Sequence, residues 1–177
     1  MSGHNKWSKI KNRKAVTDAQ KSKIFGKFAR LIAVEAKKVN GDINSPSLKV
    51  VIDRARAENM PNDNIDRAVK KGAGGDAGNL ETIIYEAYGP GGCAILIETL
   101  TDNKNRSAQE IKHLLSENGL ELATPGSAMW AFHKTSEGYE SSMPIDLSED
   151  DKDKFSKLAE ELDGLDDVQN IYTNAND

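Results

Sequence analysis

The chain has 177 residues, of which 37% are hydrophobic and 29% are charged, a balance typical of a well-solvated protein with one or two small cores. No run approaches the ~18 apolar residues that a membrane span requires, so we expect no membrane partner. No apolar stretch follows the first lysines, which argues against a secretory signal. The single cysteine, Cys93, cannot form an internal disulfide and favours a reducing, cytoplasmic location.

Charge is divided unevenly along the chain, although the net charge is only −4. Residues 1–75 contain 17 Lys and Arg against 7 Asp and Glu, whereas the remaining residues contain 7 against 21. A split of this size suggests that the two parts have distinct partners. The alternative is that the two halves neutralise each other across an interface.

Helical periodicity dominates the first part of the chain from Lys21 onward, where apolar residues repeat every three or four positions until Asn40-Gly41. Ser45-Pro46 starts a second helix, and Pro61 ends it. Residues 62–71 form a third helix, with acidic residues early and lysines late, as the helix dipole favours. The sequence predicts a basic three-helix domain over residues 1–75 and a glycine-rich linker over residues 72–78.

Strand-like segments replace the helical period from about residue 80. Residues 83–88 and 93–100 are predicted to form a β-hairpin around a Gly-Pro-Gly-Gly turn, and a capping box from Ser107 to Glu110 opens the next helix after a polar loop. Further strands are predicted over residues 127–132, 143–147 and 168–173, and Ser148 caps a last helix. This ββαβ(β)αβ order predicts an α+β fold, in which residues 80–177 form an acidic α/β sandwich with helices on one face of a mostly antiparallel sheet.

Patterns that would indicate catalysis or metal binding are weak. The three histidines do not cluster, and one cysteine cannot build a Cys-rich zinc site. The acidic run at residues 149–153 suits a solvated helix start. The Gly-Pro-Gly-Gly turn precedes a strand and not a helix, so it does not resemble a phosphate loop. We therefore expect a non-enzymatic protein without a cofactor or a metal site.

The first thirty residues give the strongest functional signal, because their cations can reach successive phosphates and only Asp18 opposes them. Trp7 is interpreted either as a ring on which a base stacks or as an anchor that holds this segment to the helical core. The predicted nucleic-acid-binding residues are Lys6, Trp7, Lys9, Lys11, Arg13, Lys14, Lys21, Lys23, Lys27 and Arg30.

A second candidate site lies just before the predicted helix start at Ser107. Free backbone N–H groups and the positive end of the helix dipole favour an anion there. The predicted anion-binding residues are Lys104, Asn105, Arg106 and Ser107. The alternative is a capped polar loop with solvated cations. In both cases we expect these cations to contribute little to stability.

Several longer motifs resemble the YebC/PmpR family, which includes a mitochondrial translational activator. They occur in order from Gly3 to Asn174 and comprise GHNKWSKIKNRK, MPNDNIDRA, YGPGG, TDNKNRS and DDVQNIYTN. The resemblance implies a helical N-terminal domain followed by α/β domains, DNA binding, transcriptional regulation and no enzymatic activity. Other members are linked to the ribosome and assist the translation of difficult sequences, so the alternative function is that of a ribosome-associated translation factor.

The chain departs from the family pattern at one place. Typical members carry a further α/β domain between the strand that ends near Phe132 and the segment that begins at Met143. Here only residues 135–142 join these two segments. We therefore interpret the chain as a shortened, two-domain member of the family.

Overall fold

The computed structural model describes residues 17–176, which form two compact units divided between Glu81 and Thr82. The helical unit comprises residues 17–81 and the α/β unit comprises residues 82–176. Three helices followed by an antiparallel sheet with helices confirm the predicted α+β class.

The helical unit consists of three helices: α1 (Asp18–Lys38), α2 (Pro46–Ala57) and α3 (Asn62–Ala73). Thr17 and Gln20 form a reciprocal capping box at the start of α1. After α1, Asn40 and Gly41 adopt positive φ angles of 51° and 77°, as the helix end predicted from the sequence requires. The apolar stripes of the three helices meet in one core, in which Ile32, Leu48, Ile65 and their neighbours are buried.

Helices α1 and α3 pack most closely at Gly72, which is buried. A Cβ atom added there would overlap the carbonyl oxygen of Ala33 and would lie 2.7 Å from the Cβ atom of Ala36. The prediction of a linker over residues 72–78 is therefore wrong for Gly72, because this glycine lies in α3 and permits the backbones of two helices to approach each other.

The α/β unit contains the strands β1 (Glu81–Tyr88), β2 (Ala94–Thr101), β3 (Leu122–Ala123), β4 (Phe132–Thr135), β5 (Gly138–Ser141) and β6 (Val168–Thr173). Its helices are α4 (Lys104–Glu117) and α5 (Glu149–Asp163). The first residue of β1, Glu81, belongs to the helical unit. The main sheet has the order β3-β1-β2-β6, and the β1–β3 and β2–β6 pairs are antiparallel. Strands β4 and β5 form a separate antiparallel hairpin.

Alternation along β2 assigns the two faces of the main sheet. Ile95 and Ile97 pack in the core formed with α4 and α5. Ala94 and Leu96 face the other way and pack with Tyr172 and Phe132. Helices therefore cover one face, as predicted, and the segment that contains the β4–β5 hairpin packs against the other.

Residues 127–131 do not form the predicted strand, and a buried carboxylate binds three backbone donors of residues 126–129. Glu86 accepts hydrogen bonds from the N–H groups of Gly126 (2.6 Å), Ala128 (2.7 Å) and Met129 (2.9 Å). The segment instead forms a 3-10 turn over Met129–Ala131, and the strand begins only at Phe132.

The following segment differs from the prediction in one respect. Residues 135–142 form a short link that contains part of the β4–β5 hairpin. Residues 143–147 form no strand and contribute a single parallel bridge between Ile145 and Ala175. Pro144 has no N–H group to donate to a ladder, which limits strand formation there.

Helix α4 begins before Ser107, so the predicted capping box and polar loop are wrong. Asn103 is the N-cap residue, and its side chain accepts a hydrogen bond from the N–H of Arg106 at 3.1 Å. Ser107 lies inside the first turns of the helix, and its hydroxyl donates to the buried carboxylate of Asp167 at 2.6 Å.

Asp167 joins the end of β2, the start of α4 and the segment before β6. Its carboxylate also accepts hydrogen bonds from the Thr101 hydroxyl at 3.0 Å and the Arg106 guanidinium at 2.9 Å. Arg106 contacts the carboxylate of Asp102 at 2.8 Å as well. The hydrogen bonds to Asp167 and then to Asp102 raise the pKa of Arg106. Arg106 is therefore ion-paired within the chain, which contradicts the alternative interpretation of a solvated cation.

We predict that Gly72→Ala lowers the free energy of unfolding by about 1–3 kcal/mol, because the methyl group overpacks the contact with Ala33. Gly26→Ala is the matched control, since Gly26 also lies in a helix but has no atom within 4 Å of an added Cβ. Alanine at this exposed helical site should raise stability by about 0.5–1 kcal/mol. Urea unfolding of both variants tests the contact, and equal effects would contradict it.

We also predict that Asp167→Asn lowers the free energy of unfolding by about 1.5–3 kcal/mol, because it weakens several charge-assisted hydrogen bonds. The side chain of Asp167 is only 4% exposed, whereas that of Asp102 is 55% exposed. Asp102→Asn should therefore cost less than about 1 kcal/mol. If the two variants unfold at the same urea concentration, Asp167 does not have the structural role assigned to it.

Candidate nucleic-acid interface

The predicted nucleic-acid-binding residues divide between helix α1 and the segment before it. Lys6, Trp7, Lys9, Lys11, Arg13 and Lys14 lie outside the described residues. Residues 1–16 are called the basic arm below. Lys21, Lys23, Lys27 and Arg30 lie on α1.

Three of these cations share one face of α1. Lys23, Lys27 and Arg30 are spaced by four and three residues, so they follow one another on successive turns. Ile32 and Ala36 are fully buried and project toward the opposite side of the helix. Lys21 lies away from this face, at the exposed first turns of α1. The structure therefore brings together three of the four described residues and leaves Lys21 apart.

The same face continues to Lys37, which is not among the residues predicted from the sequence. Lys37 follows Arg30 by seven residues and is exposed, and its ammonium donates a hydrogen bond to the Gly78 carbonyl at 3.2 Å. Continuing the spacing of the first three cations along the helix would have identified it. We call Lys23, Lys27, Arg30 and Lys37 the cationic stripe. It extends over about 21 Å of helix.

The cationic stripe begins close to the basic arm in the chain. Thr17, the N-cap residue of α1, directly follows residue 16, and Lys23 lies less than two helical turns further on. In the sequence, the arm and the stripe are therefore nearly continuous. The first 37 residues contain 10 Lys and Arg against Asp18 and Glu35.

The second candidate site has a different arrangement from the predicted one. Arg106 and Ser107 both bind Asp167, so a carboxylate of the chain itself occupies the place that was predicted for an external anion. Lys104 is exposed, and its carbonyl accepts a hydrogen bond from the Tyr85 hydroxyl at 3.0 Å. Anion binding by this segment, through Lys104 and Asn105 in particular, stays a prediction.

Other chemistry has little support in the part of the chain that the structure describes. Within residues 17–176, no group of three or more His, Cys, Asp and Glu side chains is placed to hold a metal ion. Cys93 is buried in the core of the α/β unit, and this burial raises the pKa of its thiol, as suits a small core residue. None of the helices in this range is long and apolar enough to cross a membrane.

Comparison with known proteins gives consistent matches along most of the chain. Residues 5–75 match the N-terminal domain of the TACO1/YebC proteins, and residues 80–139 match their second and third domain. A probable transcriptional regulatory protein of Finegoldia magna is 54% identical over 76% of the chain and 56% of its own length. One from Fervidobacterium nodosum is 47% identical over 96% of the chain and 66% of its own length. The chain thus spans between about half and two thirds of these relatives.

A relative with the same name from Thermoanaerobacter pseudethanolicus aligns over nearly its whole length. It is 37% identical over 98% of the chain and 96% of its own length. The alignment covers 237 positions while the chain has 177 residues, so at least 60 positions have no residue in this chain.

The fold is also similar to a solved structure. The crystal structure of a conserved hypothetical protein from Aquifex aeolicus superposes with a TM-score of 0.81 and 27% identity, and the match covers 96% of each chain. The order of the motifs, the two domain matches and the full-length relative agree with one another. The chain belongs to the TACO1/YebC family.

Proposed function

We propose that this protein is a cytoplasmic, non-enzymatic regulator of transcription that binds DNA through the basic arm and the cationic stripe. The observation that carries the proposal is the stripe, because its cations share the face of α1 that lies opposite the buried residues. A rigid row of cations next to a basic segment suits contact with successive phosphates.

The charge of the α/β unit supports the same assignment. From residue 82 onward the chain has 7 Lys and Arg against 19 Asp and Glu, so this part repels phosphate at a distance. Nucleic acid should therefore approach from the side of the helical unit. The expected contacts are with phosphates, which position a protein on DNA but carry no sequence information.

The names of the relatives support a regulatory role in transcription. Ribosomal RNA presents the same phosphates as DNA, so a translation factor that binds the ribosome remains the alternative function. The two functions differ in their target and not in the surface that they use. Parallel measurements on duplex DNA and on ribosomes separate them.

We predict a strong salt dependence of binding. If about six phosphates are contacted, the slope of log affinity against log salt on duplex DNA should be roughly −5. Changing Lys9, Lys11, Arg13 and Lys14 to Gln should flatten this slope by about 3–4, because each lost phosphate contact removes about 0.9. Fluorescence anisotropy with a labelled duplex at several salt concentrations measures both values.

The matched control removes four positive charges from exposed sites outside the arm and the stripe. Its changes are Lys49→Gln, Arg54→Gln, Lys70→Gln and Lys71→Gln. If this control flattens the slope as much as the arm variant, net charge and not the arm determines affinity, and the assignment fails. If the arm variant loses affinity for ribosomes while its affinity for DNA is unchanged, the translational alternative replaces the proposal.

A further inference from the structure

Gly26 is an exposed glycine near the middle of helix α1. It lies nine residues after the N-cap Thr17, and the helix continues for twelve residues beyond it. In the part of the chain that the structure describes, a Cβ atom added at Gly26 would meet no atom within 4 Å, whereas one added at Gly72 would overlap its neighbours. Because glycine destabilises a helix interior relative to alanine, Gly26 has a cost that packing within the described residues does not explain.

The open space at Gly26 is bordered by members of the cationic stripe. Lys23 precedes Gly26 by three residues and Arg30 follows it by four, so both are its neighbours on adjoining turns. Side chains on a helix lean toward its N-terminus, so the space that a side chain would fill at position 26 lies over the preceding turn. That turn carries Ser22, which is exposed and short. We call Ser22 and Gly26, with the helix surface between them, the Gly26 notch.

Positive charge dominates the helix around the notch. Between residues 19 and 33, α1 contains four Lys and Arg and no Asp or Glu. The two carboxylates of the helix, Asp18 and Glu35, are about 12 Å or more from position 26 along the helix axis. Glu35 also pairs with Lys38 at 2.7 Å. The notch therefore suits an anion, and the length of the stripe suits a chain of anionic groups more than a single ion.

We propose that the Gly26 notch receives the phosphate backbone of a nucleic-acid strand, while Lys23 and Arg30 contact phosphates on either side of it. The inference rests on the proposed function and names the place of closest approach. Glycine permits this approach because it has no side chain. Even a methyl group would place an atom roughly 1.5 Å further out from the helix backbone. Close against the helix, a phosphate oxygen can accept a hydrogen bond from the Ser22 hydroxyl.

Other occupants fit the notch less well. A symmetric dimer would bring the cationic stripe of one copy against that of the other, and like charges repel. A protein partner usually requires an apolar or aromatic anchor at the centre of its contact. The notch and the two cations that border it offer no such group.

The test fills the notch in two steps without changing its charge. Gly26→Ala and Gly26→Gln both introduce better helix formers, so both variants should unfold at a higher urea concentration than the parent chain. At a fixed salt concentration, we expect affinity for a labelled DNA duplex to fall about threefold in Gly26→Ala and about tenfold or more in Gly26→Gln. The larger loss corresponds to one hydrogen bond to a charged group. The salt slope should change by less than about 0.9, because every cation remains.

Ala57→Gln is the matched control, because it adds the same side chain at an exposed helical position away from α1. Its affinity for the duplex should equal that of the parent chain. Parent-like affinity in both Gly26 variants would overturn the inference and leave the proposed function intact. If the parent chain itself binds duplex DNA without a steep salt dependence, the proposed function fails and the assignment of the notch fails with it.

Three further outcomes would also overturn the inference. Lower stability of Gly26→Gln would show that a side chain at position 26 meets the chain itself, so that Gly26 has a structural role. A change of oligomeric state in Gly26→Gln, measured by analytical ultracentrifugation, would assign the notch to a second copy. Loss of affinity for a polyglutamate peptide with unchanged affinity for DNA would assign it to an acidic protein segment.

Discussion

The proposed binding of nucleic acid depends on the segregation of charge along the chain. Positive charge is concentrated in the first 75 residues and negative charge in the remainder. Helix α1 aligns part of this positive charge, because the spacing of Lys23, Lys27 and Arg30 places these cations on a single face. The excess of carboxylates in the acidic half disfavours a broad phosphate-binding surface there.

The acidic half also uses carboxylates to build its own fold. Glu86 accepts three backbone N–H groups of the segment before β4, and Asp167 connects β2, α4 and the start of β6. Both side chains are almost fully buried and hydrogen-bonded, as buried charges must be. The positive end of α4 therefore lies near an internal carboxylate. The network around Arg106 connects three segments of the α/β unit.

Periodicity predicted the elements whose residues alternate strongly between core and solvent. The buried stripes of α2 and α5, the strand over residues 168–173 and the end of α1 at Asn40-Gly41 follow local rules. The errors arose where distant residues decide local structure. Glu86 lies about 40 positions before the segment that it binds, and Asp167 lies 60 positions after Ser107. Gly72 resembled a linker residue because only the fold shows how closely α1 and α3 approach. For the candidate site, the sequence predicted the cations on α1 but not which of them share a face.

Cross-linking of the full chain to duplex DNA, followed by mass-spectrometric mapping of the attached peptides, identifies which half of the chain contacts nucleic acid. We expect cross-links within the basic arm and along α1 as far as Lys37, with few in the acidic α/β unit. Cross-links concentrated in residues 82–177 would contradict the proposed function, because nucleic acid would then bind the half of the chain that repels phosphate.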